Sequence, residues 1–156
     1  MHTIEITETG GPEVLTYVDR PIPTPGRGQI LIEAEAIGVN FVDTYFRSGL
    51  YPCALPFIVG SEVCGTVAAV GEDVTSVRVG DRVASADAQG AYAEYCVAAA
   101  DLTARVPDAI PSETAASALL KGLTAHFLFK SVYPVAPGDD ILVHAGAGGV
   151  GLILTQ

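Results

Sequence analysis

The chain has 156 residues, of which 49% are hydrophobic and 17% charged, so it can bury a core and has the composition of a globular protein. A net charge of -10, with the few lysines and arginines spread singly, excludes a nucleic-acid-binding surface because phosphate contacts need a cationic face. The apolar runs are far shorter than the roughly 20 residues of a membrane span, and Glu5 interrupts any signal peptide. We therefore expect a soluble cytoplasmic protein without a membrane partner.

The first hundred residues have the pattern of short strands. Segments rich in β-branched or alternating residues are separated by glycine- and proline-rich stretches such as "PIPTPGRG". The predicted strands are residues 2–6, 14–19, 29–39, 62–71, 81–86 and 91–99. This arrangement predicts an all-β, barrel-like module.

From Pro111 onward the spacing of apolar residues becomes helical. The segment "PSETAASALLKGLTAHFLFKSV" has Ser112 as its expected N-cap and Gly122 as an expected break between two helices. The compact apolar run "ILVHA", residues 141–145, predicts a strand. A further helix is expected from Gly149.

Three glycines at GxGxxG spacing, Gly146, Gly148 and Gly151, lie between this predicted strand and helix. Glycine suits such a loop because a side chain would keep the backbone away from a pyrophosphate, which free N–H groups at the helix start can bind. The spacing therefore predicts a dinucleotide site. A glycine-rich turn between packed elements is the alternative.

Motifs occur from one end of the chain to the other: "GGPEVL", "AIGVNFVDTYFRSGLY", "GSEVCGTVAAVG", "VGDRV", "GAYAEY", "LLKGLTAHFL" and "HAGAGGVG". In these motifs the chain resembles the quinone oxidoreductases, the zeta-crystallin-like branch of the medium-chain dehydrogenase/reductase superfamily. The resemblance implies a mixed α/β chain with a GroES-like β-barrel catalytic domain at 1–124 and the start of a Rossmann domain at 125–156. It also implies NADPH as the hydride donor to a quinone.

In this family the Rossmann domain is followed by a return of the chain to the catalytic domain. A doubly wound sheet would need on the order of 150 further residues. We therefore expect the chain to be the N-terminal portion of a longer enzyme and inactive by itself. The resemblance also implies a homodimer when the enzyme is intact.

The resemblance also implies which residues form the site. Asn40 and Tyr45 are the expected catalytic residues, orienting nicotinamide and substrate oxygen, with Tyr45 as a proton donor, and Tyr51 is expected to border the substrate. The alternative for Tyr45 is packing on the barrel with its hydroxyl bonded locally. Residues 40–45 are expected on a loop. The expected cofactor contacts are Asn40, Phe41, Val42, Asp43, Thr44, Tyr45, Phe127, Gly146, Gly148, Gly149, Val150 and Gly151.

No metal is expected. Zinc-dependent relatives carry a cysteine near the "GVN" position and a histidine in a "GHE" motif, where this chain has "GVNFVD" and Gly60-Ser61-Glu62. Catalytic zinc needs three protein ligands, which these positions cannot supply. Hydrogen-bond donors are therefore expected to polarise the substrate carbonyl instead. Two alternatives to quinone reduction remain: reduction of an enone or enoyl thioester within the superfamily, and a non-catalytic GroES-like structural module.

Overall fold

The computed structural model describes all 156 residues, Met1–Gln156, and the chain forms two compact units. The first unit is Met1–Ser117 and the second is Ala118–Gln156. Helix α2, Ser112–His126, contains the point of division. The domain boundary predicted after residue 124 falls later in the same helix and stays a prediction. None of the helices is long and apolar enough to cross a membrane.

Two antiparallel sheets make up most of the first unit. The strands are β1 His2–Ile6, β2 Thr16–Asp19, β3 Gln29–Gly38, β4 Phe57–Ile58, β5 Glu62–Val70, β6 Arg82–Ser85, β7 Tyr95–Ala99 and β8 Thr103–Arg105. The three-stranded sheet has the order β2-β1-β4, and the five-stranded sheet has the order β7-β3-β5-β6-β8. All six strands predicted from alternation are present, but those predicted at 14–19 and 91–99 begin later, at Thr16 and Tyr95.

The core cluster lies against the five-stranded sheet. Ile30 and Ile32 on β3 are two residues apart and both unexposed, and they pack with Val63 on β5 and Val83 on β6. The period of two that predicted these strands therefore points their apolar side chains into one core. Each such side chain contributes about 1.5–3 kcal/mol on burial. Burial raises the pKa of the Cys96 thiol in this cluster to about 12, so it is a neutral core side chain.

The sequence pattern does not reveal β4 and β8. They are two and three residues long, which is too short for an alternating pattern. β4 pairs with β1, and β8 pairs with β6. Only these neighbouring strands make the two segments part of a sheet.

Residues 41–45, expected on a loop, form a helix instead. Helix α1 is Phe41–Ser48, and its N-cap Asn40 forms a capping box with Asp43. Gly49 ends the helix in the left-handed conformation, at φ 81°. The loop prediction is wrong because the spacing of Asn40, Asp43 and Gly49 is itself a helix start and stop signal.

Helix α2 continues without a break through Gly122, so the prediction of two separate helices is wrong. A glycine inside a helix costs about 1 kcal/mol relative to alanine, which the surrounding helix formers can outweigh. Ser112 is the first residue of the helix, and its hydroxyl donates to Glu35 Oε2 at 2.6 Å. A π-helical turn, Phe127–Val132, follows α2.

Gly122→Ala is expected to stabilise the protein by about 0.5–1 kcal/mol, because alanine is the better helix former. A Cβ at this position meets no atom within 4 Å, so no clash offsets the gain. Urea unfolding measures the change. Gly80→Ala is the control, since Gly80 also has open space but a φ of 90° that disfavours alanine. A similar gain at both positions would contradict this explanation.

Residues 141–145 do not form the predicted strand. Ile141 and Leu142 are exposed, Leu142 by 82%, and the second unit contains no strand. A strand needs a neighbour for its N–H and C=O groups, and an apolar run alone does not supply one. The helix expected from Gly149 is confirmed, as α3 is Gly149–Leu154. With eight strands and three α-helices, the chain is mixed α/β, as predicted.

Candidate functional site

The start of α1 holds Asn40, one of the two predicted catalytic residues. Asn40 is only 8% exposed, and its Nδ2 donates a hydrogen bond to Glu62 Oε2 at 2.7 Å. Glu62 is fully buried at the beginning of β5. Because only the NH2 edge of the Asn40 side chain can donate, this pairing determines which edge of the amide faces β5.

Asp43 connects the same helix to Tyr92. Its Oδ2 accepts hydrogen bonds from the Asn40 backbone N–H at 2.9 Å and from the Tyr92 hydroxyl at 2.8 Å. Burial, followed by the hydrogen bond to Asp43, raises the pKa of Tyr92 well above its usual value, so Tyr92 remains a protonated donor. The Asp43 carboxylate is thus bonded inside the protein, and its contact with a cofactor stays a prediction.

Two glycines leave room for these buried groups. A Cβ on Gly38 would overlap Glu62 Oε2, and a Cβ on Gly60 would lie 2.7 Å from Cε1 of the Tyr92 ring.

Sequence reasoning does not identify Glu62 or Tyr92 as site residues. The signal for Glu62 is an acidic residue within the apolar run "GSEVCGTV", which must find a donor if it is buried. Tyr92 has no comparable signal.

The outer side of α1 carries aromatic rings. Phe41 is 75% exposed, and its ring centroid lies 5.5 Å from that of Tyr45 in an edge-to-face arrangement. Tyr45 packs in the same way on Tyr51, at 5.2 Å. The structure therefore brings together the predicted catalytic tyrosine and the predicted substrate residue. No hydrogen bond of the structure involves the Tyr45 hydroxyl, so the alternative of a locally bonded tyrosine lacks its partner.

The remaining predicted residues of this run are half-buried on the same helix. Val42 follows Phe41 in the first turn, and the Thr44 hydroxyl donates to the Phe41 carbonyl oxygen at 2.6 Å. That bond satisfies the hydroxyl within the helix. Contact of either side chain with a cofactor stays a prediction.

The glycine loop of the second unit is tightly folded. Ala145 has a positive φ of 53°, and its carbonyl oxygen accepts a hydrogen bond from Gly148 N–H at 2.8 Å. A Cβ on Gly151 would overlap the same carbonyl oxygen and lie 2.7 Å from the Gly146 Cα, so α3 packs directly on the loop. A Cβ on Gly146 would meet nothing within 4 Å.

Other predicted cofactor residues lie in this second unit. Gly149 and Val150 begin α3, whose N-cap is Gly148. A Cβ on Gly149 would come 3.1 Å from Cδ of the Lys121 side chain. Phe127 lies on the π-helical turn and is 57% exposed. The structure therefore brings the predicted loop residues together and leaves Phe127 accessible.

The structure contains no group of three or more His, Cys, Asp or Glu side chains that could hold a metal ion. Within Gly60-Ser61-Glu62, the carboxylate of Glu62 accepts a hydrogen bond from Asn40. Zinc-independent chemistry stays a prediction.

Comparison with known proteins finds relatives along nearly the whole chain. The family model of the alcohol dehydrogenase GroES-like domain matches residues 26–108. A quinone oxidoreductase of Pseudomonas aeruginosa is 48% identical over 155 residues, which cover 98% of this chain and 48% of that protein. The chain spans about half the length of the curated relatives it matches.

Solved structures agree with this result. The mycobacterial protein Rv1454c, complexed with NADPH, superposes with a TM-score of 0.97 at 71% identity, over 99% of this chain and 48% of that one. The Escherichia coli quinone oxidoreductase complexed with NADPH gives a TM-score of 0.95 at 46% identity, over 99% of this chain and 48% of that one. The predicted resemblance to quinone oxidoreductases and the predicted fold class are confirmed.

Proposed function

The chain belongs to the alcohol dehydrogenase GroES-like domain family, and we propose that it takes part in the NADPH-dependent reduction of a quinone. This proposal rests on the similarity of nearly the whole chain to a quinone oxidoreductase that was solved with NADPH. A homodimer and a cytoplasmic location, both expected from the sequence, stay predictions.

The glycine loop supports the cofactor part of the proposal. There is open space above Gly146, and residues 147–149 are exposed, so a pyrophosphate can approach the backbone N–H groups. We assign this contact to Gly146 and to residues 148–151. NADPH, when bound, would supply the hydride that reduces the substrate.

The outer side of α1 supports the substrate part. A quinone oxygen gains negative charge as the ring is reduced, and a donor placed at that oxygen stabilises the charge and can deliver a proton. The Tyr45 hydroxyl is available for this role, because it makes no hydrogen bond within the protein. We assign the nicotinamide contact to Asn40 and its neighbours on α1, and a flat substrate ring to the aromatic surface of Tyr45 and Tyr51.

Two other functions make different demands on these residues. Reduction of an enone or enoyl thioester would use the same donor, since it also places charge on a carbonyl oxygen. A purely structural module would need neither an accessible glycine loop nor an unpaired tyrosine hydroxyl. These two features favour an enzyme.

An assay of the complete protein tests the proposal. NADPH consumption is followed with a benzoquinone, a cyclic enone and an enoyl thioester, each in the presence of a metal chelator. We expect fastest turnover of the quinone and no effect of the chelator. Faster turnover of the enone or thioester would favour the alternative reductase, and a failure to bind NADPH would favour the structural module. Loss of activity with the chelator would contradict zinc independence.

A further inference from the structure

Glu62 is an acidic residue in the interior of the first unit. It is 0% exposed, as is its neighbour Val63 on β5. A carboxylate in such a place destabilises the fold unless hydrogen-bond donors face it. One donor is the Asn40 amide, whose Nδ2 lies 2.7 Å from Glu62 Oε2.

The backbone around Glu62 is shaped to admit this pair. Gly38 on β3 is the cross-strand partner of Glu62. A Cβ on Gly38 would overlap both Glu62 Oε2 and the carbonyl oxygen of Ala116. Any residue larger than glycine would therefore push the carboxylate away from its place beside Asn40.

Asn40 is held through both its side chain and its backbone. Glu62 binds its side chain, and Asp43 Oδ2 accepts its backbone N–H at 2.9 Å while also accepting the Tyr92 hydroxyl. Because Asn40 is the N-cap of α1, these bonds determine both the orientation of its amide and the direction in which the helix leaves β3.

We propose that Glu62 is a positioning residue: its hydrogen bond to Asn40 holds the amide, and with it the start of α1, in the orientation that binds NADPH. This inference rests on the proposed function. Without the bond the amide loses one of the contacts that orient it, and NADPH binds only the fraction of molecules in which the orientation is correct. The loss of Glu62 therefore weakens binding by acting through Asn40.

A double-mutant cycle in the complete protein tests this route. Glu62→Met removes the acceptor at similar volume, and Asn40→Ser keeps an N-cap oxygen but removes the amide. NADPH titration is expected to give a Kd about tenfold higher for Glu62→Met, but a change of less than about twofold when the same substitution is made in Asn40→Ser. An equal rise in both backgrounds, or no rise in either, would overturn the proposal.

Glu5→Met is the matched control. Glu5 is also buried, at 3% exposed, but its carboxylate binds Arg20 and not α1. This variant is expected to lower the melting temperature and leave the NADPH Kd unchanged. A weakened Kd in Glu5→Met would show that the loss follows from general destabilisation, and the proposal would fail.

Two further variants complete the experiment. Glu62→Gln can still accept a hydrogen bond from Asn40 through Oε1, so we expect it to keep the Kd within about threefold of the unsubstituted protein. If Glu62→Met does not fold, the same cycle is run with Glu62→Asp, whose carboxylate is one methylene further from Asn40. An unsubstituted protein that does not bind NADPH would contradict the proposed function and this inference together. A normal Kd in Glu62→Met would contradict only the inference.

Discussion

Tyr45→Phe in the complete protein is expected to lower kcat/KM for quinone reduction about 100-fold, the lower end of the range for loss of a proton donor. Phenylalanine keeps the edge-to-face contacts that Tyr45 makes with Phe41 and Tyr51. The hydroxyl has no hydrogen-bond partner in the protein, so its removal leaves no buried group unsatisfied. Thermal unfolding should therefore be unchanged, and steady-state kinetics should show the whole effect.

Tyr17→Phe is the control for this prediction. Tyr17 is an exposed tyrosine on β2 that stacks on His2, and it makes no contact with α1 rings. The same chemical change at Tyr17 should leave kcat/KM as it is. An unaltered kcat/KM for Tyr45→Phe with several quinones would show that the hydroxyl takes no part in the reaction, and the tyrosine would then be a packing residue.

Gly149→Val is expected to raise the Kd for NADPH about 100-fold. This change corresponds to the loss of one or two hydrogen bonds to a charged group. The valine side chain would occupy the space through which a pyrophosphate reaches the loop backbone. Its Cβ meets only the flexible Lys121 side chain, at 3.1 Å, and valine forms helices better than glycine, so stability should change little. Calorimetric titration gives the Kd, and a thermal melt of the same sample gives the stability.

Gly151→Ala provides the comparison for the loop. A Cβ at this position would overlap the Ala145 carbonyl oxygen, which is backbone and cannot move aside cheaply. We therefore expect Gly151→Ala to lower stability and NADPH affinity together, whereas Gly149→Val lowers affinity alone. If NADPH binds Gly149→Val with the affinity of the unsubstituted protein, the loop is a structural turn.

Two segments differ from their predicted structure for the same reason. The run at 141–145 has the composition of a buried strand, but a strand exists only beside another strand, and none lies in the second unit. Gly122 has the character of a helix breaker, but the helix formers on both sides outweigh the cost of one glycine. In both cases the structure of the segment depends on residues outside it, and the local preference alone does not decide.

The sequence by itself determined the main strands, the helix at Gly149, the glycine spacing and the family resemblance, because alternation and motif spacing are local properties of the chain. Only the tertiary structure decided what surrounds Asn40. Glu62 is 22 residues away from Asn40, and Tyr92 is 49 residues away from Asp43, yet each pair is in hydrogen-bond contact. No periodicity encodes such distant pairs. They meet because β5 pairs with β3 in one register, and because Gly38 and Gly60 leave the space in which the buried acid and the tyrosine ring fit.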